Sequence, residues 1–402
     1  MSKKYLIPSI VATLWSIQPF VAANATTASN VSEMLAEGDT SVSFRYRYEM
    51  VDQEAVTETA NASTLKSRLT YKSASYMGLS ALLEVDNVLI IGDENYRTPS
   101  NGNIDYPIVA DPKGTDFNQA VLTYKTDNLV TKLGKQRILH AGQRFVGGVG
   151  FRQNEQTYDA ISLSTDKLGS ISVDYSYIWS INRIFGPKDS VAQAKRWDSD
   201  SHILLASMSP AEGHSLKAYA YLLDFANAAA NSSSTFGVEY SGQFSDISVS
   251  AAYATQSDYA DNPNAYDANY VMAQISVPVK PVNVTLGYEV LGSDNGAAAF
   301  KTPLATLHKF QGWADKFLGT PANGVEDTYF KVAGKIGKTK TALVYHDFSA
   351  DFGGADLGSE VDIVATYPLA KGLSAQLKYA SYKAKSHASD TDKLWFTLSA
   401  KF

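Results

Sequence analysis

Apolar and polar residues alternate with a period of two in about eighteen segments of the chain, and this pattern most constrains the fold. In the first segment, Val42, Phe44 and Tyr46 share one face, whereas Arg45 and Arg47 share the other. A period of two is the side-chain repeat of a β-strand whose faces meet different environments. The chain is therefore predicted to be all-β, with one face of each strand turned towards an apolar phase.

The connectors between these segments alternate between tight turns and long loops. Asp166–Gly169 and Pro210–Gly213 carry turn residues, and the connectors on the other side are long. This asymmetry, with an even strand number, is typical of bacterial outer-membrane barrels, and about eighteen strands enclose an aqueous lumen. The last segment ends on Phe402, which is similar to the signal that the barrel-assembly machinery recognises. We therefore predict a transmembrane antiparallel β-barrel of about 18 strands.

The N-terminus predicts export from the cytoplasm. Lys3 and Lys4 precede an apolar run, and residues 23–25 (Ala-Asn-Ala) offer a small-x-small cleavage site, as in a secretory signal peptide. We assign residues 1–25 to the signal peptide and residues 26–402 to a single outer-membrane β-barrel domain. The expected location is the bacterial outer membrane, in contact with its lipid and lipopolysaccharide.

Composition excludes several classes of function. The chain has no cysteine, which excludes disulfides, thiolate metal sites and cysteine catalysis. Its formal net charge of −6 disfavours a nucleic-acid partner. The histidines lack the spacing of a catalytic triad or a zinc pair, and we interpret His346, which precedes Asp347, as structural. We therefore predict no enzymatic activity, no cofactor and no metal site.

The candidate site lies in the glycine-rich stretch Lys132–Asp159. Glycines between residues 142 and 150 interrupt regular structure, and guanidinium, amide and carboxylate groups surround them. Such groups suit a polar lining that grips a solute, and the alternative is a mobile surface loop. The predicted pore-constriction or solute-binding residues are Arg45, Arg47, Arg68, Arg137, Arg144, Arg152, Gln153, Glu155 and Asp159.

A second long connector follows Leu291. Within it, the apolar residues of Pro303–Leu318 recur at helical spacing. We predict that this stretch is one short helix which folds into the lumen or caps its mouth and packs against the glycine-rich run at 147–150. His308, Lys309 and Lys316 are then expected to face the solute.

Three stretches resemble the alginate-export family of outer-membrane porins. They are Gly134–Ala160 (GKQRILHAGQRFVGGVGFRQNEQTYDA), Phe300–Asp327 (FKTPLATLHKFQGWADKFLGTPANGVED) and Val344–Ile363 (VYHDFSADFGGADLGSEVDI). The best-known member of that family is an eighteen-stranded monomeric barrel that exports alginate, so the resemblance implies a channel but does not imply alginate as the solute. A polyuronate exporter needs a lumen dominated by cations, whereas the predicted inner faces here carry charges of both signs.

A lumen of mixed charge favours small solutes over a long polyanion. We therefore predict a porin-like channel for passive diffusion of small hydrophilic solutes, anionic or zwitterionic. The alternative is an export channel for an anionic polysaccharide such as alginate. Acid-rich loops leave calcium binding open, and the long loops also leave open a role as a platform for an extracellular ligand. The expected partners are a hydrophilic small-molecule or oligosaccharide solute, membrane lipid, lipopolysaccharide and the barrel-assembly machinery.

Overall fold

A closed antiparallel barrel of 18 strands forms the protein. This computed structural model describes residues 27–188, 190 and 193–402, so the predicted signal peptide at 1–25 lies outside the described residues. The first strand pairs with the last, with Phe44 opposite Ala400 and Tyr48 opposite Phe396. Closure removes the open sheet edges that could not exist in lipid. The predicted all-β barrel is therefore confirmed.

The barrel strands are numbered β1 to β18 in chain order. They are β1 (Asp39–Gln53), β2 (Ala60–Lys72), β3 (Leu79–Ile90), β4 (Gly114–Lys125), β5 (Val130–Gln136), β6 (Thr157–Leu168), β7 (Ile171–Asn182), β8 (Arg196–Met208), β9 (His214–Leu223), β10 (Ser233–Phe244), β11 (Ile247–Asp258), β12 (Asp267–Val279), β13 (Val282–Leu291), β14 (Val325–Ile336), β15 (Thr339–Ser349), β16 (Asp356–Ala370), β17 (Leu373–Ala384) and β18 (Thr391–Lys401). Every alternating segment of the sequence coincides with one of these strands.

Little of the described part of the chain is helical. A short helix, α1 (Val31–Ala36), precedes β1, and its N-cap Asn30 accepts a hydrogen bond from the Glu33 N–H. A two-residue ribbon, Ser293–Asp294 with Ala298–Ala299, lies in the connector after β13. None of the helices in the described residues is long and apolar enough to cross a membrane.

The two faces of the wall differ as the alternation predicts. On the outside, Phe330 of β14 is 45 % exposed and its neighbour Leu286 of β13 is 54 % exposed. On the inside, Glu289 and Asp327 of the same strands are 5 % and 1 % exposed. An apolar outer belt around a closed barrel matches the hydrocarbon core of a bilayer. The barrel therefore spans a membrane, with its polar faces turned inward.

The two ends of the barrel have connectors of different length. At one end the strands are joined by short turns such as 169–170, 245–246 and 337–338, and α1 lies there, with Met34 packed against Ala74. At the other end the long connectors include 91–113, 137–156 and 292–324. The long connectors supply the chain that fills the lumen.

Two parts of these connectors fold into the barrel, the first inward segment (137–156) and the second inward segment (300–318). The Gly147 N–H donates to the Leu304 carbonyl at 2.8 Å, and the Thr306 N–H donates to the Gln143 carbonyl at 3.0 Å. Val146 and Leu304 form an isolated β-bridge. The predicted inward-folded loops, and their packing against each other through the glycine-rich run, are confirmed.

The predicted helix over Pro303–Leu318 is wrong. The described backbone of this stretch makes only one 3-10 turn, Leu307–Lys309. Gln311, Gly312 and Asp315 have φ of 48°, 78° and 62°, which a right-handed helix does not allow.

Backbone hydrogen bonds to the wall replace the helical ones. The Trp313 N–H donates to Asp362 at 3.2 Å and the Ala314 N–H donates to Glu360 at 2.7 Å. Two buried carboxylates of β16 therefore take donors that a helix would satisfy with its own carbonyls. His308 is also buried rather than facing a solute.

Candidate pore constriction

Glycine allows the first inward segment to approach the second. A Cβ on Gly147 would lie 2.3 Å from Thr306 Oγ1, which leaves no room for any other residue. Gln156 Nε2 donates to the Gly147 carbonyl at 3.0 Å, and the Tyr158 hydroxyl donates to the same carbonyl at 2.7 Å. The segment is therefore fixed to the wall at β6 and does not form a surface loop.

Two arginines of β1 hold the turn of the first inward segment by its carbonyl groups. Arg45 donates from Nη1 to the Gly150 carbonyl at 2.8 Å and from Nη2 to the Arg152 carbonyl. Arg47 donates to the Phe151 carbonyl at 2.6 Å, and its guanidinium lies 4.2 Å from the centroid of the Phe151 ring. Because a guanidinium has several donors in a fixed fork, two of them can hold consecutive carbonyls. Arg45 and Arg47 thus position the segment.

Beside this turn lies a cluster of charges contributed by β2, β3 and the first inward segment. Arg137 Nε lies 2.5 Å from Glu155 Oε2, and Arg68 Nη2 lies 2.8 Å from Glu155 Oε1. Arg68 also forms two parallel hydrogen bonds with Asp86, both of 2.6 Å. We call this set the arginine–carboxylate cluster; its members are Lys66, Arg68, Glu84, Asp86, Arg137 and Glu155.

Two guanidiniums of the cluster remain accessible. The side chains of Arg68 and Arg137 are 16 % and 21 % exposed. Burial by itself raises the pKa of Glu155, but Arg68, Arg137 and Lys66 outweigh it and hold that pKa well below its usual range. The cluster therefore keeps an ionised carboxylate that orients both arginines while they stay in reach of a solute.

The structure buries Arg144 and Arg152 in ion pairs. Arg144 Nε lies 2.6 Å from Glu289 Oε1, and Arg152 Nη1 lies 2.9 Å from Glu49 Oε2. The two arginines are only 5 % and 7 % exposed. Both guanidiniums bind the first inward segment to wall carboxylates on β13 and β1, which leaves little of either to a passing solute.

Gln153 and Asp159 occupy different surroundings. Gln153 is fully buried, and its Nε2 donates to Thr64 Oγ1 at 2.9 Å. Asp159 lies on β6, where it alternates with the buried Tyr158, and it accepts from Asn182 Nδ2 at 3.0 Å. Of the predicted site residues, the structure thus brings all but Asp159 to the first inward segment and its contacts.

Sequence reasoning missed a buried charged centre under the second inward segment. Asp315 accepts from His308 Nδ1 at 2.7 Å and from Lys393 Nζ at 2.8 Å. Lys378 Nζ lies 2.6 Å from His308 Nε2 and 3.7 Å from the centroid of the Trp313 ring. The signal was present, because Lys378 and Lys393 hold inner-face positions of β17 and β18, where a cation needs a partner.

His346 has a structural environment. It lies on the inner face of β15, and its Nδ1 is 2.9 Å from Asp327 Oδ1 on β14. The partner is therefore Asp327 and not the adjacent Asp347.

For the acid-rich connectors, the described part of the chain contains no group of three or more histidine, aspartate or glutamate residues arranged to hold a metal ion.

A small cleft adjoins the cluster at the long-connector end. Its cavity volume is about 30 Å³, and it lies between the end of β5 and the start of β6, where the chain turns inward. Its lining includes Asp86 and Glu155 of the cluster, together with Asp116, Asn118, Asn154 and Asn182 and the cations Lys135 and Arg183. The cleft therefore has room for one or two water molecules beside the carboxylates that orient Arg68 and Arg137.

No protein-family model and no curated protein matches the chain. The resemblance to the alginate-export family is therefore not supported. The three stretches that suggested it are mainly the two inward segments and the strands β15 and β16 near them. Their glycine, aromatic and acidic residues serve packing between the inward segments and the wall of this barrel.

Solved structures of outer-membrane barrels are similar to this chain. OccK9 (OpdG) of Pseudomonas aeruginosa is 15 % identical, with a TM-score of 0.72 over 92 % of this chain and 99 % of that chain. OccAB4 of Acinetobacter baumannii is 14 % identical, with a TM-score of 0.70 over 92 % of this chain and 100 % of that chain. The outer membrane protein OpdK of P. aeruginosa is 13 % identical, with a TM-score of 0.67 over 92 % and 99 %. The chain therefore shares the 18-stranded barrel fold of these proteins.

Proposed function

We propose that the protein is an outer-membrane channel through which small hydrophilic solutes, anionic or zwitterionic, diffuse passively. The observation that carries the proposal is the pair of accessible guanidiniums, Arg68 and Arg137, inside a membrane-spanning barrel that two fixed segments narrow. One protein of the same fold is described as an outer membrane protein, which supports that location. The signal peptide predicted at residues 1–25 would direct the chain there, with lipid, lipopolysaccharide and the barrel-assembly machinery as partners.

The filling of the lumen favours small solutes. The two inward segments meet through the stacked rings of Phe151 and His308, whose centroids are 3.6 Å apart, and through the Gly147–Leu304 hydrogen bond. A polyanion would need a continuous row of free cations along its path. Because Arg144 and Arg152 are buried and paired, the described lumen does not favour export of alginate.

The long connectors face the cell exterior in this proposal, and the short turns face the periplasm, as in other barrels of this kind. Solutes would then enter from the long-connector end and pass the cluster on their way to the periplasm. Neither a cofactor nor an energy source is part of the proposal.

Ion selectivity in planar bilayers tests the proposal. We expect the wild-type channel to prefer anions under a salt gradient, and the reversal potential to shift towards cation preference in Arg68→Gln with Arg137→Gln, because Glu84, Asp86 and Glu155 then lose their counter-charges. The matched control is Arg196→Gln, since Arg196 forms a largely exposed pair with Asp198. A wild-type protein without conductance would refute the channel; a double variant with unchanged selectivity would refute the role of the two arginines.

A further inference from the structure

Tyrosines on the outside of the wall mark the level at which the lipid-facing surface becomes polar. Three of them donate a hydroxyl hydrogen bond to a polar side chain of the next strand: Tyr48 to Asn61 at 2.6 Å, Tyr253 to Asn269 at 2.9 Å and Tyr379 to Asp392 at 2.7 Å. In each pair the acceptor lies two residues nearer the long-connector end than the residue opposite the tyrosine. Such rings are typical of the interface between hydrocarbon and headgroups. These pairs therefore place the polar boundary of the bilayer at the long-connector ends of the strands.

A cavity lies at this level on the outside of β12, β13 and β14. Its volume is about 280 Å³. Val271 and Val290, which are opposite each other in β12 and β13, contribute to its lining, and Glu326 of β14 is opposite Val290. Tyr288 and Glu326 repeat the arrangement of the tyrosine pairs, because Tyr288 lies opposite Thr328, two residues from Glu326. The cavity therefore lies at the polar boundary of the lipid-facing surface and not in the lumen.

Backbone hydrogen bonds fix the edge of the cavity at the long-connector end. The Gly292 N–H donates to the Asn269 carbonyl at 2.8 Å, and the Ser293 N–H donates to Asp351 Oδ2 at 2.7 Å. A Cβ on Gly292 would lie 2.7 Å from the Asn269 carbonyl oxygen, so the chain after β13 lies directly against β12. All four residues line the cavity. The cavity is therefore bounded by the wall on one side and by two connectors on the other.

The lining of this cavity is acidic. Glu326 and Asp351 contribute carboxylates, and the described lining contains no lysine, arginine or histidine. Glu326 Oε2 accepts from Ser349 Oγ at 3.2 Å. Because a carboxylate has about four acceptor positions, both groups can accept further hydrogen bonds. Two acceptors of negative charge beside two valines are complementary to an ammonium group on a short carbon chain.

We propose that this cavity binds the primary ammonium group of a membrane-lipid headgroup, in the leaflet on the long-connector side. Glu326 and Asp351 accept hydrogen bonds from the ammonium, and Val271 and Val290 contact the carbons next to it. A lipid is the occupant because the cavity faces the bilayer at the level where headgroups lie. A headgroup with phosphate as its only charge would be repelled by the two carboxylates. The site is separate from the lumen and goes beyond the proposed channel function.

Native mass spectrometry of the purified protein in detergent tests the site. The probes are phosphatidylethanolamine, phosphatidylcholine and phosphatidylglycerol with identical acyl chains. The first carries an ammonium that donates hydrogen bonds, the second a quaternary ammonium that cannot donate, and the third no cation. We expect the wild type to retain phosphatidylethanolamine roughly fivefold better than the other two, as for one ammonium–carboxylate contact near a surface.

The test variants are Glu326→Gln and Asp351→Asn, singly and combined. They keep the shape of each side chain and lie on different elements, so that a folding failure of one leaves the other. Each single variant should weaken the preference for phosphatidylethanolamine, and the combined variant should abolish it. The matched control is Asp392→Asn, which removes the acceptor of Tyr379 at the same boundary but does not line the cavity. It should keep the wild-type preference.

Four outcomes would overturn parts of this inference. Equal retention of all three lipids by the wild type would refute recognition of an ammonium group. Equal retention of phosphatidylcholine and phosphatidylethanolamine would refute the role of hydrogen bonds. A preference that persists in the combined variant would refute the cavity as the site. Loss of the preference in Asp392→Asn would show that the boundary as a whole, and not this cavity, selects the lipid.

Discussion

Arg152 Nη2 lies 3.2 Å from Asp315 Oδ2, and this ion pair joins the first inward segment to the second. Each partner is also held by the wall, Arg152 by Glu49 of β1 and Asp315 by Lys393 of β18. Burial raises the pKa of Asp315, but His308, Lys393 and Arg152 outweigh it and hold that pKa well below its usual range. One carboxylate, which stays ionised at neutral pH, thus holds the two inward segments of the constriction together.

Asp315→Asn should therefore loosen the constriction. It leaves Arg152 and Lys393 without their shared carboxylate, and breaking a buried pair in this way costs about 3–5 kcal/mol. We expect a larger and noisier single-channel conductance. The control is Asp127→Asn, which removes the same charge from a short turn at the other end and should leave the conductance unchanged. Identical traces for Asp315→Asn and the wild type would contradict the role of the pair.

Arg144→Met should lower stability without changing ion selectivity. The substitution strands Glu289, which also accepts from the Tyr270 hydroxyl at 2.6 Å, in a buried site. A loss of about 3–5 kcal/mol is expected, seen as a lower thermal midpoint in detergent, with an unchanged reversal potential. Adding Glu289→Gln should recover much of the stability, because the uncompensated charge is gone. A shift in selectivity for the single variant would mean that Arg144 faces solutes after all.

A charged residue on the lipid-facing surface should destabilise the barrel more strongly the deeper it lies in the bilayer. Phe330→Lys places an ammonium within the membrane-spanning part of β14, at a cost of about 2–4 kcal/mol. Ile336→Lys lies on the same face of the same strand but at its end by the short turn, where the cost is close to zero. Folding yield into lipid vesicles should fall for the first variant only. Equal yields would show that Phe330 does not contact hydrocarbon.

His140 should make the first inward segment sensitive to acid. Burial lowers the pKa of His140 to about 4, despite the opposing effect of Asp174. An unfolded histidine titrates near pH 6.5, so the stability from this neutral histidine is present above pH 6.5 and is lost as pH falls towards 4, by about 3 kcal/mol in all. The thermal midpoint of the wild type should therefore drop more steeply over this range than that of His140→Gln. Parallel curves would contradict this prediction.

The alternation of apolar and polar residues predicts every barrel strand. One face of each strand meets lipid and the other meets the lumen, so the local sequence alone shows both environments. The second inward segment was mispredicted for the opposite reason. Its apolar residues do recur at helical spacing. However, the Trp313 and Ala314 N–H groups donate to Asp362 and Glu360, which lie far along the chain on β16. The local sequence therefore does not show that these carboxylates replace the carbonyl acceptors of a helix.

The chemistry of the site was predictable, but the partners were not. The sequence has arginines, glycines and carboxylates close together in Lys132–Asp159, and in the structure their side chains meet around the first inward segment. However, Arg144 meets Glu289 at a separation of 145 residues, and Arg152 meets Asp315 at a separation of 163. Pairing over such distances decides which guanidinium is buried and which is accessible, so that Arg68 and Arg137 could not be singled out beforehand.

The closure of β1 against β18 is also reinforced from inside the lumen. The contacts of the two inward segments with the wall include Glu49 of β1 and Lys393 of β18. With the Arg152–Asp315 pair, these contacts form a row of ion pairs that runs from one terminal strand to the other, beside the seam where Glu49 lies opposite Trp395. The segments that narrow the lumen therefore also brace the junction between the first and the last strand.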